Sequence, residues 1–502
     1  MTTAPHRATR ETAATAAPGS PATASPTTAT PATGPGAKSS ATPLGAVLTV
    51  VVLGSMMSVL DMTIVNVALR SLSDAFQAPL TTIQWTATAY TLALAAVIPT
   101  AAWAMSRIGA KRTYLTALVL FTLGSLLAAL AWDATSLIAF RAVQGLGGGL
   151  LMPVGMTMTM RAADPARMGR AMAVGGLPVL IGPVLGPTLG GWLVDVASWH
   201  WIFLVNLPLG GLALLLAWRL LRPDAPRPGG PAPRLDVPGL LMLSPGLALL
   251  LYGLARGGEG AGGGPGEGFT APGALLPTVA GLLLVAGFVR RALTAREPLL
   301  DLRLLRDRTF AAGIGTLALF TCGYFGSMLL GPVYWQEARG FTASTAGLLS
   351  APIGLVVGTT MQIAARRIDT SSPRRLIPAG VLLAALGMGL GALQTGTPDV
   401  APWRVVGAAL VMGVGVGMVM MPTMTTASRN LAKERLPSAS TALSITSQVG
   451  ASVGTALCSV LLAAAGTGPE GFRLGYGVAA LLLALAVVPA LFLPGRPART
   501  AA

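Results

Sequence analysis

Charge is scarce in this sequence. Of its 502 residues only 10% are Asp, Glu, Lys or Arg, where an ordinary soluble chain carries about 25%. So few polar side chains cannot coat a water-soluble globule of this size, which argues strongly against a soluble enzyme. Histidine is scarcer still. His6 and His200 are the only two, too few for a histidine metal centre. The two cysteines, Cys322 and Cys458, each lie inside an apolar run and offer neither a disulfide framework nor CxxC spacing. No GxxxxGK followed by Ser or Thr occurs, so the chain has no P-loop for a nucleotide. Lysine is nearly missing, with three against 31 arginines; a GC-rich coding bias explains that without any function.

What the sequence has is hydrophobicity: 53% apolar residues and a mean hydropathy of +0.68. Residues 1–43 are the exception, a low-complexity Ala/Thr/Pro/Ser tract that cannot bury a core and is expected to be disordered. It holds no apolar stretch of signal-peptide length. From residue 44 apolar runs of about 20 residues recur, the length of a helix crossing ~30 Å of hydrocarbon. The expected spans are 45–69, 82–104, 113–132, 136–160, 171–195, 200–221, 238–255, 273–293, 310–334, 343–365, 375–395, 402–424, 438–465 and 472–493. These fourteen leave no stretch for a large soluble domain.

The net charge of +16 raises the possibility of a nucleic-acid partner, and its distribution argues against one. With the N-terminus placed inside, 28 basic residues fall in interior links and tails and five in exterior links; only Arg141 is left within a span. That is the positive-inside pattern, a topology signal. It places both termini in the cytoplasm. Two links stand out as flexible: the Pro/Arg-rich 222–236 and the Gly-rich 257–268. They bracket spans seven and eight. GLGGGLLMPVGM (145–156) in span four is echoed by GVGVGMVMMPTM (413–424) in span twelve. The echo suggests a six-helix repeat, spans 1–6 against 9–14, with two helices inserted between. The expected divisions are a tail 1–43, a bundle 44–222, a linker with two inserted helices 223–308, a bundle 309–495 and a tail 496–502.

Charge inside a membrane is expensive and points to function. Asp61 is the one acid deep within a span; Asp195 and Glu337 lie near span ends. Burial disfavours its charged form, which makes it a candidate to take and release a proton. Arg141 is the one deep base. It needs a polar cavity or a partner, with Asp61 a candidate partner, or else it snorkels toward the near end of its span. Gln144 sits one turn later on the same side. In span five, Gly182, Gly186 and Gly190 form one smooth face, and Pro183 and Pro187 favour bending. Methionines gather in spans four and twelve, at 152, 156, 158, 160, 412, 418, 420, 421 and 424. They read as gap-filling core or as an adaptable ligand surface. GLGGGL (145–150) mimics a phosphate loop, but without a preceding strand it reads as helix packing.

Several motifs carry a resemblance. LDMTIVNVAL (60–69), RAVQGLGGGLLMP (141–153) and GPVLGPTLGGWL (182–193) resemble the helix 1, helix 4 and helix 5 motifs of fourteen-span drug:proton antiporters of the major facilitator superfamily. SWHWIFLVNLPLG (198–210) and SQVGASVGTAL (447–457) are similar to further segments of that group. The resemblance spans 44–495. It implies an all-α polytopic protein of the major-facilitator fold, with two six-helix bundles plus two inserted helices. It implies a bacterial cytoplasmic-membrane exporter of small lipophilic compounds in exchange for protons, an antibiotic or multidrug pump without a cofactor. A dedicated exporter of one natural product, or an importer, is the alternative. By the same resemblance Asp61, Arg141 and Gln144 serve proton coupling. Gly182, Pro183, Gly186, Pro187 and Gly190 form the antiporter motif. Arg107, Gly109, Lys111 and Arg112 belong to a gating loop, although Ala102 and Ser106 replace its usual Gly and Asp. Arg70 stands where the helix 1 motif usually has Pro. Helix 10 lacks the extra acid that some relatives handling divalent cations carry, which favours neutral or monocationic substrates. The implied partners are such a substrate, protons and the lipid bilayer, with no nucleic acid or nucleotide; the motifs are silent on an adaptor protein. A membrane enzyme acting on lipids would instead show clustered acids or histidines, and here they are scattered singly.

Overall fold

A computed structural model describes residues 42–164, 167–223, 235–259, 268–295, 298–368, 371–397 and 400–495. The expected tails, apart from residues 42 and 43, lie outside the described residues, as do most of the two flexible links. Every regular element among the described residues is helical, as hydrocarbon demands of a backbone that must bond to itself. The long helices are α1 (Leu44–Phe76), α2 (Trp85–Ile108), α3 (Ala110–Ala129), α4 (Ala134–Ala162), α5 (Met168–Val196), α6 (Trp201–Leu220) and α7 (Val237–Glu259). They continue as α8 (Pro272–Thr294), α9 (Arg308–Ala338), α10 (Ala343–Ile368), α11 (Pro373–Thr395), α12 (Pro402–Ser428), α13 (Leu436–Ala465) and α14 (Pro469–Ala490). Among the described residues 13 spans are long and apolar enough to cross a membrane. The region expected at 171–195 is α5, a 29-residue helix several of whose side chains lie outside the described residues.

Local chemistry sets the helix ends. Asp133 and Ser136 open α4 with a reciprocal capping box: Ser136 N donates to Asp133 Oδ1 at 2.6 Å and Asp133 N to Ser136 Oγ at 3.1 Å. Pro99 lacks an N–H, and α2 passes through one 3-10 turn at Ile98–Thr100. Pro208 does the same to α6, which is interrupted at Val205. Gly109, at φ 88°, makes the sharp corner between α2 and α3, a backbone region that favours glycine. The expected end that differs most is that of α1. α1 runs past residue 69 to Phe76, because nothing breaks it before Gln77 turns left-handed (φ 48°) and its N–H returns to Ser73 O. Arg70 therefore rides exposed on the helix rather than in a link. Arg161, Arg219, Arg291, Arg366 and Arg367 occupy the last turns of α4, α6, α8 and α10. Cations there complement the helix dipole, and together they mark one basic end of the molecule.

The helices pack as two halves, α1–α6 and α9–α14. The glycine echo has a packing cause. A methyl on Gly147 would meet Ala117 O of α3 at 2.7 Å, and one on Gly148 would meet Tyr90 Oη of α2 at 2.6 Å. In the other half, a methyl on Gly417 would meet Val357 O of α10 at 2.7 Å, and one on Gly415 would meet Ala384 Cα of α11 at 2.7 Å. So α4 wedges between α2 and α3 as α12 wedges between α10 and α11, and the stretch that mimics a phosphate loop is a helix contact.

Most apolar clusters stay within one half. Leu60, Ile64, Leu72, Ile202 and Phe203 belong to one, and Leu330, Tyr334, Trp335 and Phe472 to another. A cluster at the basic end crosses between halves. It joins Met156, Met160, Met168 and Met172 to Met361, Met421, Met424 and Leu443. Thr157 Oγ1 and Ser440 Oγ meet within that region at 2.6 Å. Gln362 Nε2 reaches Ala173 O at 3.5 Å. The molecule is thus sealed between its halves at the basic end, with methionine filling the irregular gaps.

The inserted hairpin α7–α8 lies along the seam between the halves. Leu247 and Leu251 of α7 pack near Ala95 and Ile98 of α2 and Ile445 and Val449 of α13. Asp236 fixes its entry. This buried carboxylate accepts from Gly239 N at 3.0 Å, from Arg291 Nε and Nη2 at 2.7 Å, and from Leu299 N at 3.3 Å. It caps α7 and ties it to the end of α8.

Candidate functional site

The candidate site is a polar knot inside the first half, built from five helices. α1 contributes Asp61, which is 1% exposed. α4 contributes Arg141, also 1% exposed, and Gln144 one turn later. Arg141 Nη1 donates to Asp61 Oδ2 at 2.5 Å and to Gln144 Oε1 at 2.7 Å. Gln144 Nε2 donates to Asp61 Oδ1 at 2.7 Å. The three side chains close a ring of hydrogen bonds. The snorkelling alternative for Arg141 is excluded by its burial and its partners.

The rest of the knot holds Arg141 in place. Its Nε donates to Thr86 O of α2 at 3.3 Å. Its guanidinium carbon lies 4.3 Å from the ring centre of Tyr90 and 5.7 Å from that of Phe203. A cation over an aromatic face is attracted by the ring's negative quadrupole. Tyr90 Oη in turn meets Ser58 Oγ at 3.0 Å. Glycine makes this possible: Gly148 leaves room for the Tyr90 hydroxyl that a methyl would strike. Buried charges are tolerated when paired and hydrogen-bonded; Asp61 accepts three hydrogen bonds, and Arg141 makes three through Nε and Nη1. Chemically, the arrangement can hold a carboxylate in a dry interior with three donors, and can rearrange when that charge is neutralised.

Sequence reasoning missed six members of the knot. Asn206 of α6 donates from Nδ2 to Asp61 Oδ1 and to Ser125 Oγ, both at 3.0 Å. Ser125 of α3 donates to Phe203 O at 2.9 Å. Tyr90, Thr86, Ser58 and Phe203 complete the set. The available signal was Asn206 itself, an uncapped amide in an apolar span, a type seldom buried without purpose. Ser, Thr and Tyr give no such signal in a helix.

The glycine face of α5 meets α1 beside Asp61. A methyl on Gly182 would strike the Val59 side chain, and one on Gly186 would lie 2.5 Å from Thr63 Cβ. A methyl on Gly190 would lie 3.2 Å from Ile64 Cα. Thr63 Oγ1 donates to Gly182 O at 3.3 Å across this contact. Pro183 and Pro187 lie on the same helix, but their side chains, and that of Asp195, fall outside the described residues.

The loop residues are not brought to this knot. Arg107 and Arg112 are exposed at the basic end. Lys111 caps α6, its ammonium donating to Trp218 O at 2.8 Å and also to Leu221 O. Ser106 folds its hydroxyl back on Trp103 O at 2.7 Å.

Comparison with known proteins places this architecture. The profile of the Major Facilitator Superfamily matches residues 51–455 and 358–502. The chain is 42% identical over 416 residues to the Multidrug resistance protein B homolog of Mycobacterium tuberculosis, covering 82% of this chain and 75% of that protein. It is 33% identical over 463 residues to the Putative multidrug resistance protein MdtD of Pectobacterium carotovorum, covering 90% and 96%. It is 29% identical over 420 residues to the Multidrug export protein EmrB of Escherichia coli, covering 82% and 78%. Among solved structures, the human organic anion transporter MFSD10 superposes with a TM-score of 0.62 at 16% identity, over 89% of this chain and 99% of that one. The Escherichia coli fucose:proton symporter FucP superposes with a TM-score of 0.61 at 13% identity, over 89% and 98%. At that identity the structures show the fold alone. The motifs, the two helical halves with their inserted pair, and these relatives agree: the chain belongs to the Major Facilitator Superfamily of membrane transporters, beside relatives named for multidrug resistance and export.

Proposed function

We propose that this protein exports small lipophilic compounds across the bacterial cytoplasmic membrane in exchange for protons, with its basic end in the cytoplasm. The observation that carries the reading is the Asp61–Arg141–Gln144 ring. Apart from Asp236 at the entry of the inserted hairpin, Asp61 and Arg141 are the only buried charges among the described residues. The names of the multidrug relatives support the class of cargo.

The geometry supplies a coupling mechanism. With Asp61 ionised, Arg141 has its counter-ion and the knot is satisfied. A proton on Asp61 removes that counter-ion and leaves a buried guanidinium held by Gln144 Oε1, Thr86 O and an aromatic face. An uncompensated buried charge is costly, so protonation favours a different packing of α1 against α4 and α6. The glycine face of α5 transmits the shift, since α1 and α5 touch there with almost no side chain between them. The arrangement described is closed by methionines at the basic end; cargo would leave and a proton would be taken up at the opposite end. Asp61 and its ring would serve proton coupling, the glycines would serve sliding, and Lys111 would steady the α3–α6 corner of the loop.

The test uses everted membrane vesicles with an imposed proton gradient and a fluorescent lipophilic cation. Uptake is expected in wild type and lost in Asp61→Asn and with a protonophore. Uptake that survives Asp61→Asn refutes the role of that carboxyl. Absence of uptake with the protein present in the membrane refutes broad specificity and points to one narrow natural product or to import.

A further inference from the structure

Every neighbour of the Asp61 carboxylate is a donor. Arg141 meets Oδ2, while Gln144 and Asn206 meet Oδ1. That suits the ionised form. A protonated Asp61 carries an O–H that needs an acceptor, and most of the knot has none to give. A guanidinium is donor-only. Gln144 already commits its Oε1 to Arg141. Asn206 is different: its Nδ2 makes two bonds while its Oδ1 is buried with no hydrogen-bond partner. A carboxamide rotated by half a turn exchanges donor and acceptor with little change of shape.

We propose that Asn206 is a positioning residue that follows the protonation of Asp61, donating to the carboxylate and accepting from the acid. In the ionised state Nδ2 donates to Asp61 Oδ1 and Ser125 Oγ. When the proton arrives, the amide rotates and its Oδ1 takes the Asp61 O–H. Ser125 has one hydroxyl proton and turns it from Phe203 O to the same Oδ1. The bond that ties α3 to the first turn of α6 is thereby released. Rotation uses the orphaned acceptor of the ionised state and puts Nδ2 in its place without an acceptor, a cost that repacking of α3 against α6 relieves. The proposal rests on Asp61 as the proton carrier. The groups bonded to that carboxyl are Arg141 and Gln144 from α4 and Asn206 from α6, with Tyr90 of α2 against the guanidinium and Ser58 of α1 on the Tyr90 hydroxyl; among the described residues Arg141 is the one other charge at the knot.

Infrared difference spectroscopy on the full chain in lipid, taken between alkaline and acid buffer, tests this with protons as the probe. The acid C=O band of Asp61 is assigned by its loss in Asp61→Asn. In wild type it is expected at the frequency of a hydrogen-bonded acid. An asparagine carboxamide band should accompany it and shift on heavy-nitrogen labelling of the three asparagines. In Asn206→Leu the carboxamide band should vanish and the acid band should move up to that of an unbonded acid. An acid band unmoved by Asn206→Leu, or no carboxamide band in wild type, overturns the proposal while Asp61 remains the carrier. The wild-type labelling decides the matter even where Asn206→Leu does not fold. No Asp61 band at any pH overturns the carrier reading, and this one with it.

Discussion

Replacing Gly186 with alanine puts a methyl group where α1 already stands. The new Cβ would lie 2.5 Å from Thr63 Cβ, while carbon atoms pack best at about 3.5–4.0 Å. Trimming Thr63 to alanine removes the nearer Oγ1 but leaves the Cβ contact, so it relieves the strain only in part. The helices must therefore separate by about 1 Å, and overpacking of this kind costs about 1–3 kcal/mol. Gly190→Ala makes a graded control. Its Cβ would sit 3.2 Å from Ile64 Cα and Cγ2, which asks for a few tenths of an ångström only. Gly182→Ala meets mainly the Val59 side chain, so Val59→Ala should relieve it in part. The expected order of damage is Gly186, then Gly182, then Gly190. Melting temperature of the purified protein reads the strain, and gradient-driven uptake in everted vesicles reads the function. If the strain acts in one of the two orientations alone, uptake by Gly186→Ala falls about tenfold or more. Wild-type uptake and melting in Gly186→Ala, or a Gly190→Ala variant worse than it, would refute the claim that bare backbone contact between α1 and α5 matters.

Other outcomes are also fixed by the geometry. Thr157→Val removes a hydroxyl pair that crosses the seal, worth about 0.5–1.5 kcal/mol. It should open the basic end several-fold more often, seen as faster labelling of a cysteine placed beneath the methionine cluster. Asp236→Ala deletes the acceptor of three helix-end donors and lowers stability by about 1.5–3 kcal/mol. Asp236→Asn, which keeps an acceptor for the backbone donors, should recover part of it in a melting assay. Asp133 lies outside the spans, and the Ser136 backbone N–H that it accepts holds its carboxyl below the usual range. A lowered folded value gives stability that is present above the unfolded value and is lost as pH falls through the folded one. Acid melting curves should show that loss in wild type and lack it in Asp133→Ala.

Most of the fold was legible because a bilayer asks for a crude signal, a run of apolar residues of fixed length. The end of α1 was not legible, since the stop at Gln77 depends on one backbone torsion that no breaker residue announces. Asp61 and Arg141 stood out as isolated charges in hydrocarbon, and their pairing was one of two possibilities for Arg141. Asn206, Ser125 and Tyr90 were harder to find. Each is unremarked on its own helix and matters only once α2, α3 and α6 close around Asp61. The sealing methionines were noticed as a cluster, yet their division between the two halves is a tertiary fact. Asp236 looked like linker and is a clamp, because its partners Arg291 and Leu299 arrive from more than fifty residues later.

The glycine wedge repeats between the halves, and the chemistry does not. In the register of that echo, Ala409 and Met412 of α12 stand where α4 has Arg141 and Gln144. The second half carries no buried charge among its described residues. A duplicated architecture thus holds one charged knot, in its first half. If the Asp61 knot couples protons as proposed, substitutions in α9–α14 leave it untouched under selection by a new toxic compound, whereas those around the knot in the first half disturb it. On that reading, resistance to unfamiliar molecules should arise by amino-acid changes concentrated in residues 309–495, each tolerated because the charged knot lies elsewhere.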